Sequence, residues 1–440
     1  MNPLRWLGAL LLVALVAMAA PVAQAKTTVV WWHAHGGALG ERVDRMVAKF
    51  NSSQSDYEVK AVYKGSYAET MTAGIAAFRA HQPPAILQVF EVGTATMMAA
   101  KGAIYPVYQL MADTGEQFDP NAYLPAVTGY YMDTEGHMLS MPFNSSTPVL
   151  WYNKDMFSKA GLNPNKPPKT WPEVERVAKK LMKAGVTQCG LTTTWPSWIQ
   201  IENFSAWHNI PIATLQNGYG GLGTRMLIDN PTVERHIATL AKWQKEGIFK
   251  YGGRGSAAST LFNTGKCAMR TESSAGYART AKEAKFKFGV GTLPYWPDVK
   301  GAPQNTIIGG ASLWVLRGHS ADVYKGVAKF FTYLYSPEVQ AEWHQGTGYL
   351  PITLAAYDLS KKQGFYKSHP GADIAIKQMT AKKPTPNSRG LRLGNFVQMR
   401  SVHLDELEAA FAGKITAKEA LKRMVARDNQ LLEQFQQANQ

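Results

Sequence analysis

Between residues 27 and 100 two hydrophobic periodicities take turns, and no other feature of the chain narrows its fold as much. Thr27 to Trp32 reads as a strand. Gly40 to Phe50 sets Val43, Met46, Val47 and Phe50 on one helical face, and Tyr57 to Tyr63 returns to strand. A helix over Tyr67 to Ala80, a strand over Ala85 to Phe90 and a helix over Thr94 to Ala100 follow. Strands that alternate with helices predict an α/β lobe with a mainly parallel sheet. Thr170 and Glu173 form a capping box opening a helix that runs to Lys183, and Asn230-Pro231, Ser336-Pro337 and Thr416 with Glu419 open three more. With 440 residues the chain exceeds what one core normally serves, so two or more lobes are expected.

The first 25 residues have a different character. One charge, Arg5, precedes an apolar stretch from Trp6 to Ala20 and the small-residue pattern Ala23-Gln24-Ala25, the order of a cleavable signal peptide over residues 1–25. A mature periplasmic chain starting at Lys26 is expected, without a lipid anchor, because no Cys lies at the cleavage point. No later apolar run reaches the roughly 20 residues of a membrane span. Cys189 and Cys267 are the only cysteines, each at the start of a strand-like segment. Export permits a disulfide between them, while two buried thiols fit the sequence equally well. The net charge of +15 favours anionic partners without naming one.

Several motifs lose force in context. Gly218 to Gly223 satisfies G-x-G-x-x-G, but the following Arg225 to Ile228 reads as a short strand and no helix opens at the motif, so a flexible loop is preferred to a dinucleotide site. His33 and His35 leave the first strand on the same side, yet no H-E-x-x-H or similar companion completes a metal site. Neither a P-loop nor a G-x-S-x-G elbow occurs. Most of the 12 Trp, 19 Tyr and 17 Phe are expected in the core, though some could line a sugar site or stack nucleic-acid bases. Nucleic acid is not expected as a partner, since no basic stripe or recognised module accompanies the charge.

Four stretches carry more specific information: Y-K-G-S-Y at Tyr63 to Tyr67, I-L-Q-V-F-E-V-G-T-A-T-M-M at Ile86 to Met98, P-F-N-S-S-T-P-V-L at Pro142 to Leu150, and G-L-R-L-G-N at Gly390 to Asn395. They closely resemble the periplasmic glycerol-3-phosphate receptors of ABC importers, a branch of the extracytoplasmic solute receptors that resemble the maltose-binding protein. Y-N-K-D-M-F at Tyr152 to Phe157 and P-P-K-T-W at Pro167 to Trp171 carry the wider resemblance. It implies a two-lobed periplasmic binding protein fold with a hinge and an interlobe cleft. The first lobe would hold residues 26–146 and 310–349, the second 147–309 and 350–440, with Pro142 to Pro148 as one crossing.

The resemblance also implies the work: capture of sn-glycerol-3-phosphate, or of diesters such as glycerophosphocholine, by lobe closure, and delivery to a membrane permease with its ATPase. Such a receptor acts as a monomer, without cofactor, metal or catalysis. A carbohydrate receptor of the same fold is the nearer rival and a periplasmic glycerophosphodiesterase the more distant one. Position by position, Tyr67, Glu91, Ser146, Trp171, Ser273, Gly310, Tyr349 and Arg400 fall on ligand-contacting positions. In that reading Ser146, Ser273, the Gly310 N–H, Tyr349 and Arg400 serve the phosphate. Glu91 and Tyr67 serve the glycerol hydroxyls and Trp171 covers the carbon skeleton, so cation and carboxylate mark opposite ends. Glu272, next to Ser273 on a strand, is expected to point away from the anion.

Overall fold

The computed structural model describes residues 25–100 and 102–440; the expected signal peptide lies almost wholly outside them. Two sheets organise the chain. The first contains β1 (Thr27–His33), β2 (Tyr57–Tyr63), β3 (Ile86–Phe90), β4 (Ile104–Tyr105), β5 (Met141–Ser146) and β11 (Gly309–Leu316), in the order β2-β1-β3-β11-β4 with β5 also on β11. The second contains β6 (Pro148–Asn153), β7 (Cys189–Thr193), β8 (Phe249–Tyr251), β9 (Cys267–Ser273) and β10 (Phe288–Gly291), in the order β10-β6-β9-β7-β8.

The strands and helices expected before residue 100 form within a few residues of their expected limits. Gly37–Ser53 packs on β2 with Val43, Met46, Val47 and Phe50 buried, and Tyr67–Arg79 packs on β3. Around the second sheet, Trp171–Lys183 lies on β7 and Pro231–Lys245 on β8. Both sheets are more mixed than expected. β1 to β3 run parallel, but β11 lies antiparallel to β3, β4 and β5, and β6 antiparallel to β9 and β10. Each antiparallel strand adjoins a crossing between the sheets, so it enters its sheet from the opposite end. Arg225 to Ile228 gives only an isolated bridge, Ala213 to Met226, in place of the expected short strand.

Thr147 alone separates β5 from β6, so the first crossing occupies a single residue. Its Oγ1 donates to Thr306 Oγ1 at 2.6 Å, which sets the return crossing into β11 beside it. After Tyr349 the chain keeps several contacts with elements of the first sheet's side. Leu124 N–H donates to the Ile352 carbonyl at 2.9 Å, Leu354–Lys362 packs on Pro337–Thr347, and β6 first meets the later helix Ile374–Thr380. Leu350, Ile352 and Ala356 are buried in this stretch. Cys189 and Cys267 stand opposite each other in the parallel β7–β9 pair and form a disulfide, with Cα atoms 4.5 Å apart. Among the described residues no helix is long and apolar enough to cross a membrane.

Candidate ligand cleft

A cavity of about 520 Å³ opens where the sheets meet at these crossings. The register explains why polar groups collect there. Ser146 pairs with Gly309, Pro148 with Ser273, and Phe90, one residue before Glu91, with Ala311. Leu350 N–H donates to the Ser145 carbonyl at 2.7 Å, which brings Tyr349 to the same level. Tyr67, Glu91, Ser146, Ser273, Gly310, Tyr349 and Arg400 all line the cavity, though they span more than three hundred residues of chain.

Gly310 is required by the backbone. Its φ is +107°, and a Cβ there would lie 1.9 Å from the Asn144 carbonyl oxygen, so no other residue fits without moving β5. At Gly309 a Cβ would sit 2.4 Å from Trp198 Cζ2, and glycine lets that indole close one wall of the cavity.

The tyrosine wall rests on a buried polar row that the sequence did not reveal. Gln88 Nε2 lies 2.9 Å from His35 Nε2 and donates to Asn144 Oδ1 at 2.8 Å. Asn144 Nδ2 donates to the Tyr67 hydroxyl at 2.9 Å, and that hydroxyl stands 3.4 Å from the Tyr349 hydroxyl. Tyr67 stacks on Phe90 and Tyr349 on Trp343. Burial holds His35 down to about 3 and, with Asp44 opposing, His33 down to about 4, so both imidazoles are neutral in this wall at neutral pH. Burial likewise pushes the Tyr349 phenol up to about 12, which keeps its hydroxyl a donor.

Three expectations need correction. Trp171 does not reach the cleft: it is the first residue of its helix, 1 % exposed, with its ring against His236 at 4.7 Å and Trp243 at 6.3 Å. The amphipathic face of that helix draws it into the core, and Trp195 and Trp198 line the cavity instead. Glu272 does not point away. Alternation ends at Ser273, the last residue of β9 and the N-cap of the 3₁₀ turn Ser274–Gly276, and neighbours 272 and 273 both line the cavity. Its charge is taken up nearby, since Oε2 accepts from Ser259 Oγ at 2.6 Å, Oε1 from Ser273 N–H at 3.1 Å, and Arg270 Nε lies 3.9 Å away.

The third concerns charge. Glu91 and Arg400 do not mark opposite ends, because Arg400 Nη2 donates to Glu91 Oε1 at 2.6 Å across the cleft. Arg400 also donates to Glu202, from Nε to Oε1 at 2.8 Å and from Nη2 to Oε2 at 2.7 Å. Burial, opposed by Arg400 and reinforced by Glu202, holds the Glu91 carboxyl above its ordinary range. Burial would lower the Arg400 pKa, but Glu202 and Glu91 together outweigh it and raise it. Glu202 lies in the π-helical turn Trp198–Asn203, inside W-I-Q-I-E-N, where no spacing rule singles out a buried carboxylate. The G-L-R-L-G-N stretch leads into the helix Phe396–Phe411 that carries Arg400. Its Arg392 Nη2 donates to the Met132 carbonyl at 2.6 Å, a further tie between the two sides.

Ser197, His403 and Asp428 form a hydrogen-bonded row, Ser197 Oγ to His403 Nδ1 at 3.1 Å and His403 Nε2 to Asp428 Oδ2 at 2.6 Å. It has the membership of a hydrolytic triad, but no member lines the cavity and none is more than 2 % exposed.

Residues 45–373 match the family of bacterial extracellular solute-binding proteins. The chain belongs to that family. This solute-binding protein is 51 % identical, over all of its length and 99 % of the other's, to the sn-glycerol-3-phosphate-binding periplasmic protein UgpB of Escherichia coli O1:K1. It is 52 % identical to the UgpB of Salmonella typhimurium strain LT2 over 95 % of each chain. UgpB from Mycobacterium tuberculosis in complex with glycerophosphocholine superposes with a TM-score of 0.76 at 20 % identity, covering 93 % of this chain and 99 % of that one. Maltose-bound MalE3 of T. maritima also reaches 0.76, at 17 % identity, over 92 % of this chain and all of the other. The last two establish the two-lobed fold.

Proposed function

We propose that this protein is the periplasmic receptor of an ABC importer for sn-glycerol-3-phosphate and its diesters, capturing ligand by lobe closure and handing it to the permease and ATPase. The carrying observation is the cluster of donors from both sides of the chain at the crossings, in a chain half identical to named glycerol-3-phosphate-binding proteins over its whole length. A phosphate monoester carries about −1.5 to −2 at neutral pH and offers several acceptor oxygens. Ser146, Ser273 and Tyr349 hydroxyls and the Gly310 N–H are donors suited to it. Arg400 is a poorer candidate than its charge suggests, because two carboxylates already oppose one guanidinium. We assign the Glu91–Arg400 pair to the glycerol hydroxyls, the carboxylate accepting from one while the guanidinium donates to another. Tyr67 stands at that end and Trp198 covers the carbon chain. The cavity exceeds what a three-carbon monoester fills, and a diester headgroup takes the remainder.

Closure about the crossings at Thr147 and Thr306 would move the two sheets as lobes, with ligand contacts on both sides shifting the equilibrium. The receptor is proposed to act as a monomer, released by cleavage before Lys26. Calorimetric titration of the mature protein with glycerol-3-phosphate, glycerophosphocholine, maltose and inorganic phosphate tests the reading. Saturable binding of the first two, with none of maltose, is expected. Maltose binding without either glycerol phosphate would make it a sugar receptor.

A further inference from the structure

Glu202 does not line the cavity, yet it makes a two-pronged contact with Arg400, which does. Its side chain is 1 % exposed, and a carboxylate so buried is strongly disfavoured unless paired. Arg400 supplies the pairing through a two-pronged contact, which fixes the guanidinium plane as well as its position. Nε and Nη2 are thereby committed, whereas Nη1 makes no hydrogen bond among the described residues and Arg400 faces the cavity. The carboxylate is itself held from behind. Ser197 Oγ donates to Glu202 Oε1 at 3.3 Å and is tied through His403 to Asp428 on the helix Ala417–Asn439. The row that resembles a triad thus ends on the residue that orients the cleft arginine.

We propose that Glu202 is a positioning residue for ligand capture, fixing the plane of the Arg400 guanidinium so that Nη1 is presented to the bound ligand. This rests on the reading that glycerol phosphates bind in this cleft against Arg400. Two effects of removing the Glu202 charge oppose each other. Losing a negative charge near an anion tightens binding, and releasing the guanidinium to turn onto Glu91 weakens it. With the phosphate on the serine cluster, the charge effect acts at a distance and the orientation effect acts at a charged hydrogen bond, so orientation prevails.

The test is a double-mutant cycle read by calorimetry with glycerol-3-phosphate. Glu202→Gln keeps the side-chain shape and is expected to weaken binding about fivefold or more. In an Arg400→Lys background the same change is expected to alter affinity less than about twofold, since an ammonium has no plane to fix. Equal losses in both backgrounds would mean that Glu202 merely props up its turn and would overturn the proposal, as would tighter binding by Glu202→Gln. Glu202→Asp keeps the charge but withdraws it by one methylene. Weaker binding there supports positioning, and wild-type affinity overturns it. If the wild-type protein binds no glycerol phosphate, the functional reading fails and this proposal falls with it.

Discussion

Replacing Arg400 with alanine removes three charge-assisted hydrogen bonds and leaves Glu91 and Glu202, with side chains 5 % and 1 % exposed, facing each other without a cation. Removing one partner of a buried ion pair typically costs about 3–5 kcal/mol, mostly the desolvation of the charge left behind. For a chain of this size unfolding as one unit, that lowers the melting temperature by about 3–5 °C. The loss should depend on pH in a definite direction. Glu91 already sits above the ordinary carboxylate range, and without Arg400 it rises further. A carboxyl whose folded-state pKa exceeds its unfolded value contributes fully below the unfolded value, and that contribution is lost as pH rises through the folded one. The gap between variant and wild type therefore narrows toward pH 5 and widens toward pH 7.5 in paired calorimetric scans. Titration of the folded variant should show glycerol-3-phosphate affinity reduced at least about tenfold, with Arg400→Lys recovering only part of it. Unchanged affinity, or a stability gap that stays constant with pH, would refute the placement of this arginine between two carboxylates at the ligand.

Three other outcomes follow from particular residues. Gly310→Ala forces a Cβ into the Asn144 carbonyl at a φ of +107°, so urea unfolding should show about 2–4 kcal/mol lost; a change below about 0.5 kcal/mol would mean that β5 shifts freely. Protein from the periplasm should yield no free thiols under denaturing, non-reducing conditions, and Cys189→Ser with Cys267→Ser should lose about 2–4 kcal/mol, the bridge closing a separation of 78 residues. Intact mass of exported material should start at Lys26, and a retained Met1 would remove the export assignment.

The elements before residue 100 and the capping boxes at Thr170 and Thr416 could be read from the chain, because periodicity and capping are local and a few neighbouring residues decide them. Resemblance reached further and named seven residues that the fold gathers around one cavity. It failed where a side chain's role depends on the element packed against it. Trp171 has the same local signature whether its helix turns toward the cleft or toward Trp243, and only the packing of that helix decided. Whether Cys189 meets Cys267 depended on β7 and β9 pairing in parallel with those residues in register, a relation between segments far apart in the chain. Arg400 looked like a free cation because a sequence lists charges without their neighbours. Glu91 and Glu202 reach it from 309 and 198 residues away, and only the closure of the tertiary structure turns three scattered charges into one buried chain of hydrogen bonds.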